Sequence, residues 1–525
     1  MAVQPYNMSP GSLPAVSSAV CLQRMQMELG MESAGTNEKT GLAYWMKRVL
    51  SERQKVRRDL AADPVHDLRV ALRRCLSICD VMREIDPDPN WKSMRKEGRR
   101  LFRKLGDLRD VQVIQQWVEK LSPQDDSAGK RLREVLAPKE MEAREAALSA
   151  LKDFDRKEWR AYAKILPRRF EKLPLDGPAC EHLALERWNA AFELHGRALQ
   201  SRSRVAFHRL RIGLKRFRYT VENFLPHRHL RWGGDLKQLQ DLLGEAHDLD
   251  VLWQTAVKIR AFSDKESRAA WRARIEEERK KRLDLYREKM AGKNSLFWIW
   301  RAELPQGEQL EAAGLAKLAA WGAFCNPETG HAQHVAQLVT ELYDGLAGYG
   351  LTGTNPSGHP RNLIHAAALL HDVGLAEGKK SHHKASYRMI RALAPPIGWS
   401  QKDLEVVALA ARYHRRALPR PTHKGFQSLP PALQQATLFL GGVVRLANAF
   451  DWNHDNAIAH VSVENCNGTI AIYPEGYSEE EPLASRLAGA KHLLEIACHR
   501  PVLILPPASQ QAPRPVSKPI QIDAA

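Results

Sequence analysis

From Gly41 to Arg301, apolar residues recur at spacings of three and four while charged residues fill the other faces. That pattern predicts a run of long amphipathic helices packed as a bundle. Pro64, Pro87, Pro167, Pro174, Pro226 and Gly233 punctuate it, marking helix ends. A second helical block is expected from about Pro305 to Trp452. After it, AHVSVEN and GTIAIYP alternate with the two-residue period of short strands. A helical stretch then ends near Cys498, and VLILP reads as another strand. Residues 1–36, rich in Ser, Gly, Pro and Met, read as a mobile leader, and the Pro/Gln-rich residues 507–525 as a disordered tail.

Within the first block the sequence repeats itself. Val65–Arg74 (VHDLRVALRR) is echoed by Phe207–Arg216 (FHRLRIGLKR), which runs on into Phe217-Arg218-Tyr219. Leu105–Val111 (LGDLRDV) is echoed by Leu243-Gly244-Glu245 with His247–Val251 (HDLDV), and the second copy reads as one or two residues longer. Two copies of one helical unit are the simplest account. At about 100° per residue, His66, Arg69 and Arg73 fall within about 60° of one another, as do His208, Arg211 and Lys215. Each copy therefore presents a cationic stripe. Asp63 and Pro64 are expected to supply the N-cap and first-turn proline of the first stripe's helix. Lys92, Arg95, Lys96, Arg99, Arg100, Arg103 and Lys104 form a second basic face between the echoes.

Charge sharpens the picture. The chain of 525 residues holds 79 Lys and Arg against 61 Asp and Glu, a net +18. Residues 325–525 hold 18 basic and 16 acidic side chains, so nearly all of the excess lies before them. An anionic partner is thus expected for the N-terminal part, because like charges concentrated twice on matching stripes repel without a counter-ion. Seven scattered cysteines without a Cys-x-x-Cys pair fit a reducing compartment. No basic leader or bilayer-length apolar run is seen, so a cytoplasmic location without membrane contact is expected.

VHDLRVALRR, LGDLRDVQV, FHRLRIGLKRFRY and LLGEAHDLDV together resemble the conserved histidine α-helical domain, CHAD, over about residues 37–302. The resemblance implies two four-helix-bundle halves, about 37–170 and 178–302, lining a basic groove that binds inorganic polyphosphate, often at polyphosphate granules. Carried over, the implied contacts are His66, Arg69, Arg73, Arg74, His208, Arg211, Lys215, Arg216, Arg218 and Tyr219, with Arg99 and Arg103 added from the second basic face. Nucleic acid is the rival polyanion. It is the less expected one, because aromatic residues, which serve as stacking platforms for bases, make up only 7% of the chain.

The second block is marked by histidine: 13 of the 20 lie after Cys325. His331-Ala332-Gln333-His334, Leu370-His371-Asp372-Val373-Gly374, His382-His383-Lys384, Tyr413-His414-Arg415-Arg416 and Ala447-Asn448-Ala449-Phe450-Asp451 follow in order. Imidazole and carboxylate on neighbouring helices suit a divalent ion such as Mn, Fe, Zn, Ni, Co or Mg. The series resembles the HD superfamily of metal-dependent phosphohydrolases, most closely the C-terminal domain of the exopolyphosphatase/guanosine pentaphosphate phosphohydrolase family, over about residues 310–506. That family's actin-like ATPase-fold domain is absent from this sequence.

The HD resemblance implies His331, His371 and Asp372 as ligands, with His382 and His414 available to a second ion and His383 beside them. Asp372, Lys384 and Arg415, with Arg416, would serve the chemistry by holding the ion and neutralising charge on phosphoryl oxygen. Where HD enzymes close the site with Ala-Asp, this chain has Ala447-Asn448. Asp451, one turn on, is the expected substitute ligand; otherwise metal affinity is reduced.

The sequence as a whole predicts a mainly α protein: the repeated bundle, a linker helix at 303–324, an all-helical HD-type domain at 325–456 and a small α+β appendage at 457–506. Three functional readings follow. They are a polyphosphate-binding protein with a working phosphohydrolase centre, a non-catalytic polyphosphate scaffold, and a nucleic-acid-binding protein.

Overall fold

The computed structural model describes residues 41–123, 126–326, 328–352, 360–478 and 482–507. The leader and all but the first residue of the tail lie outside them. The first half comprises α1 (Gly41–Arg58), α2 (Ala62–Met82), α3 (Pro89–Leu121), α4 (Ser127–Asp153) and α5 (Arg156–Phe170). The second comprises α6 (Pro178–Ser201), α7 (Arg204–Phe224), α8 (Pro226–Lys258), α9 (Lys265–Met290) and α10 (Leu296–Ala302). In each half a 21-residue helix carries the His-x-x-Arg stripe, and a 33-residue helix carrying the Leu-Gly motif follows it.

Local chemistry sets these boundaries. Asp88 caps α3 by accepting from Asn90 N–H, with Pro89 in the first helical turn, and Ser203 caps α7 by accepting from Ala206 N–H at 3.1 Å. For α2 the expectation is corrected: Ala61, not Asp63, is the N-cap and makes no side-chain cap bond. Asp59 accepts from Ala61 N–H at 2.9 Å, so the turn is fixed earlier and Asp63 and Pro64 already lie inside the first turn. The second acidic motif is not longer than the first. Asp110 and Asp248 each stand four residues after the motif glycine on uninterrupted helices.

The halves meet along α2 against α7 and α3 against α8. Their shared apolar core includes Trp91, Trp159, Phe217 and Trp300, all essentially inaccessible. A smaller core of Trp117, Leu132, Leu252 and Trp271 ties together the far ends of α3, α4, α8 and α9. Asn223 of α7 donates to the Ser77 hydroxyl of α2 at 3.0 Å.

The C-terminal part holds α11 (Gly307–Cys325), α12 (Thr329–Gly348), α13 (Pro360–Leu370), a 3-10 turn (Val373–Glu377), α14 (His382–Arg391), α15 (Gln401–Tyr413), α16 (Lys424–Gln427) and α17 (Pro431–Phe450). Then come β1 (Val461–Cys466), β2 (Thr469–Pro474), α18 (Leu483–Cys498) and β3 (Val502–Ile504). β1 pairs antiparallel with β2, Val463 opposite Ile472, while β2 pairs parallel with β3, Ile470 opposite Val502. The parallel pairing needs a crossover, which α18 supplies. The alternating segments thus form the expected small appendage to a mainly α chain, and this part has a core of its own.

It rests on the bundle through α6 and α11. Lys317 Nζ meets Glu186 at 2.6 Å, and His182 Nε2 accepts from Ile397 N–H at 3.1 Å. Burial, helped by Lys317, pushes His182 down to about 3, so it stays a neutral acceptor. Among the described residues no helix is long and apolar enough to cross a membrane.

One buried carboxylate closes the first half. Asp86 accepts from Trp91 Nε1 at 2.7 Å and from Arg169 Nε and Nη2 at 2.6 Å each. Asp86→Ala strands both donors, and the expected loss is about 3 kcal/mol. Urea denaturation reads it as a lowered midpoint; an unchanged midpoint would refute this account of the joint.

Candidate functional site

Packing α2 on α7 brings the two stripes together. Arg73 of the first repeat and Arg211, Lys215, Arg216 and Tyr219 of the second line one groove of about 510 Å3, with Arg99 and Phe102 of α3 on its wall. Its carboxylates, Asp80 and Glu84, are already paired with Arg95 and Arg187. Burial first, then Arg211, Arg73 and Arg69, push the Lys215 ammonium down to about 8. Arg73, Lys215 and Arg218 surround the Tyr219 ring at 5.6, 6.0 and 5.6 Å. Arg73 Nε, Arg211 Nε and the Tyr219 hydroxyl are buried and make no hydrogen bond among the described residues.

The two sequence motifs of each repeat touch. Arg69 donates to the Phe102 carbonyl at 3.2 Å and lies over the Phe102 ring. A Cβ on Gly106 would stand 2.8 Å from its Nη1, so the motif glycine is what lets the guanidinium cross α3. In the second repeat Gly244 faces Arg211, with 3.8 Å to its Nε. Asp110 stands against Arg69, Arg211 and Lys215. Desolvation between the helices raises its carboxyl although solvent reaches it. Desolvation likewise raises Asp248 to about 6, against the pull of Arg211.

The remaining contacts implied from sequence are placed unevenly. Arg74 is engaged by buried Glu222 at 2.5 Å, which Arg218 also approaches at 3.9 Å. His66 is exposed at the start of α2, and Arg103 is exposed on α3. His208 Nδ1 lies 3.3 Å from His247 Nδ1. Sequence reasoning missed His247 as a neighbour of the stripe because the second motif was read out of register. The match of LGEAHD to LGDLRD without a gap was the available signal.

In the C-terminal part, α12, the end of α13, α14, α15 and α17 converge on Asp372. His331 and His371 with Asp372, and His382 and His414 with Asp372, each bring three ligand atoms within 4.8 Å of one another. His371 Nδ1 donates to the Ala368 carbonyl and His414 Nδ1 to the Ala411 carbonyl, both at 2.6 Å. Those bonds leave both Nε2 atoms as lone pairs facing inward. Burial pushes His414 far below its ordinary value, so it is neutral. Asp372 Oδ1, 3.0 Å from His382 Nε2 and 3.5 Å from His414 Nε2, is buried without a hydrogen-bond partner among the described residues.

Asp451 is not at this centre, and the expected substitution is corrected. Its Oδ2 accepts from His331 Nδ1 at 2.7 Å, behind the ring, and its Oδ1 from Asn456 N–H at 3.0 Å. Asn448 itself stays inside, with Oδ1 3.1 Å from both His331 Nε2 and His371 Nε2. A cavity of about 160 Å3 opens over the cluster, lined by Asp372, His414, Arg415, Asn448, Trp452 and His454. His454, not singled out from the sequence, stacks on His331 at 3.7 Å. Lys384 is exposed and outside this lining. It joins Arg415 and Arg416 around His383, which burial and its cationic neighbours push down to about 4.

A duplicated helical bundle with a basic groove, joined to a helical His/Asp domain, defines a two-domain protein with two charged centres. Family models match both parts: CHAD domain over residues 42–257, and Ppx/GppA phosphatase, domain III, over residues 326–485. The chain thus contains a CHAD domain followed by a domain that matches domain III of Ppx/GppA phosphatases. No curated protein matches it.

Gly374 fixes the geometry of the His/Asp cluster. A Cβ there would stand 2.2 Å from the His382 carbonyl oxygen and 2.5 Å from Ser386 N, both backbone atoms. Gly374→Ala must therefore push α14 away and carry His382 off Asp372. The expected outcome is a stability loss of about 2 kcal/mol. Urea denaturation checks it, and a wild-type midpoint would overturn it.

Proposed function

We propose that this protein binds inorganic polyphosphate in the groove between its two repeats and carries a metal-dependent phosphohydrolase centre of the HD type. The observation that carries the first part is the meeting of Arg69, Arg73, Arg211 and Lys215, two cations from each repeat, beside unsatisfied buried donors. Asp110 and Asp248 offset this crowding only in part, and a chain of phosphates relieves the remainder through charge-assisted hydrogen bonds that arginine makes bidentately. Arg73, Arg99, Arg211, Lys215, Arg216 and Tyr219 would contact the chain directly. His66, Arg103 and His208 would extend the basic track, while Arg74 and Arg218 act mainly by holding Glu222. The groove's aromatics favour polyphosphate over nucleic acid: Tyr219 is buried and Arg69 lies over one face of Phe102, whereas base stacking needs open ring faces.

For the second centre, His331, His371, Asp372 and Asn448 would hold one divalent ion, and Asp372, His382 and His414 another. The inward lone pairs and the orphaned Asp372 oxygen fit such ions. The 3.1 Å separations around Asn448 Oδ1 match the edge of about 3 Å between ligands each about 2.1 Å from a metal. Asp451 would orient His331. When bound, the ion supplies Lewis-acid activation of phosphoryl oxygen. Arg415, on the cavity wall, would neutralise charge on the phosphate, and Lys384 and Arg416 would draw anions toward the rim. A phosphate ester, or polyphosphate delivered by the bundle, would be the substrate.

Polyphosphate affinity should fall steeply with salt, and Arg69→Ala with Arg211→Ala should weaken binding at least about tenfold and flatten the log–log slope by about 0.7 for each phosphate no longer neutralised. An unaltered slope refutes the groove. Lys215 adds a pH signature. Lowered to about 8 in the free protein, it must take up a proton to bind above that pH, so affinity declines as pH rises through about 8. Lys215→Arg should abolish the decline, and affinity measured from pH 7 to 9 decides.

At the metal centre, Asn448→Asp converts a neutral oxygen to a carboxylate and should raise Mn2+ affinity about tenfold or more. Metal content and phosphoesterase screening on the same sample test both proteins. Absence of any Mn2+ uptake by either would remove the hydrolytic reading.

A further inference from the structure

The outer face of the first half holds a third concentration of charge, away from both centres. The latter part of α1 and the first turns of α5 line a cavity of about 530 Å3 whose walls include Lys47, Arg53, Arg57, Arg58, Arg156 and Arg160. Among the described residues no carboxylate lines it. Arg53 is the buried member, only 4% exposed. It donates to the Leu151 carbonyl and lies over the Phe154 ring at 5.8 Å, yet its Nε has no hydrogen-bond partner among the described residues. Burial, then Arg156 and Arg57, lower its guanidinium. The adjacent buried carboxylate, Glu52, meets Lys55 at 3.0 Å and Arg48 at 3.5 Å through Oε1, while its Oε2 is buried without a hydrogen-bond partner among the described residues.

Helix electrostatics explain part of this set and fail for the rest. Arg57 and Arg58 occupy the last turn of α1, where cations complement the helix dipole. Arg156 and Arg160 stand at the start of α5, where that dipole opposes them. Asp155 caps α5, and Glu158 of its first turn is bonded to the Tyr162 hydroxyl at 2.9 Å. Five exposed cations around one buried, under-satisfied guanidinium make a positive concavity that suits an anion with several oxygens.

We propose that this cavity is a second phosphate-oligomer site, taking a short linear phosphate anion or the end of a longer chain. Arg53 supplies a fixed buried donor, and Arg57, Arg156 and Arg160 supply the charge that neutralises the ligand. The choice of ligand rests on the polyphosphate reading above, whereas the site itself rests on its own geometry.

Calorimetric titration of the full chain with sodium tripolyphosphate separates the two. With EDTA present, so that the His/Asp centre holds no ion to receive phosphate, the wild-type protein should take up about two anions and the groove variant, Arg69→Ala with Arg211→Ala, about one. Adding the exposed substitutions Arg57→Gln and Arg160→Gln to the groove variant should weaken that remaining binding at least about tenfold. Placed alone in the wild type, they should remove one equivalent while the melting temperature holds. Unchanged stoichiometry and affinity in that variant overturn the second site. So does complete displacement from the groove variant by sulfate at equal ionic strength, which would mark an unselective anion patch. If the groove variant binds like wild type, the groove reading fails, and the Arg57→Gln, Arg160→Gln pair still decides the second site.

Discussion

Electrostatic repulsion across the seam between the repeats is the constraint around which the bundle is organised. α2 and α7 approach with their cationic stripes turned toward one space, and Lys215 there faces three guanidiniums against one carboxylate, Asp110. Something else must hold the helices together. The apolar core that runs through both halves does so, with a second core at the far ends of the long helices. Polar contacts placed off the groove assist: Asn223 to Ser77, and Arg74 of one repeat to Glu222 of the other. Burial of apolar surface is not directional and does not depend on charge. It can therefore sustain a charged interior that ion pairing alone could not.

Much of this arrangement was legible in the sequence, for reasons that can be named. The three- and four-residue spacing of apolar positions marked the helices, and period-two alternation at AHVSVEN and GTIAIYP marked β1 and β2. The repeat of VHDLRVALRR in FHRLRIGLKR carried the stripes because position on a helix face follows from spacing alone. What spacing cannot give is which helix packs on which. The engagement of Arg74 and Arg218 with Glu222, and the lodging of Arg69 over Gly106, depend on interhelical distance and were invisible beforehand.

The His/Asp cluster shows the same division. Its members could be picked out by residue type, but their depth order could not. Asn448 and Asp451 are three residues apart on one chain segment, and residue chemistry favoured the carboxylate as the inner group. The helix end turns Asp451 behind His331 and leaves the amide facing the imidazoles. His454 reaches the cluster only because the chain doubles back after α17 in a left-handed conformation, which no periodicity announces.

Duplication has also left the repeats unequal in one respect. The glycine beneath Arg69 is 2.8 Å from the guanidinium, whereas its counterpart beneath Arg211 has 3.8 Å. A methyl group fits the second gap as ordinary van der Waals contact and not the first. Alanine at Gly244 therefore leaves Arg211 where it is, while alanine at Gly106 obliges the end of the Arg69 side chain to shift.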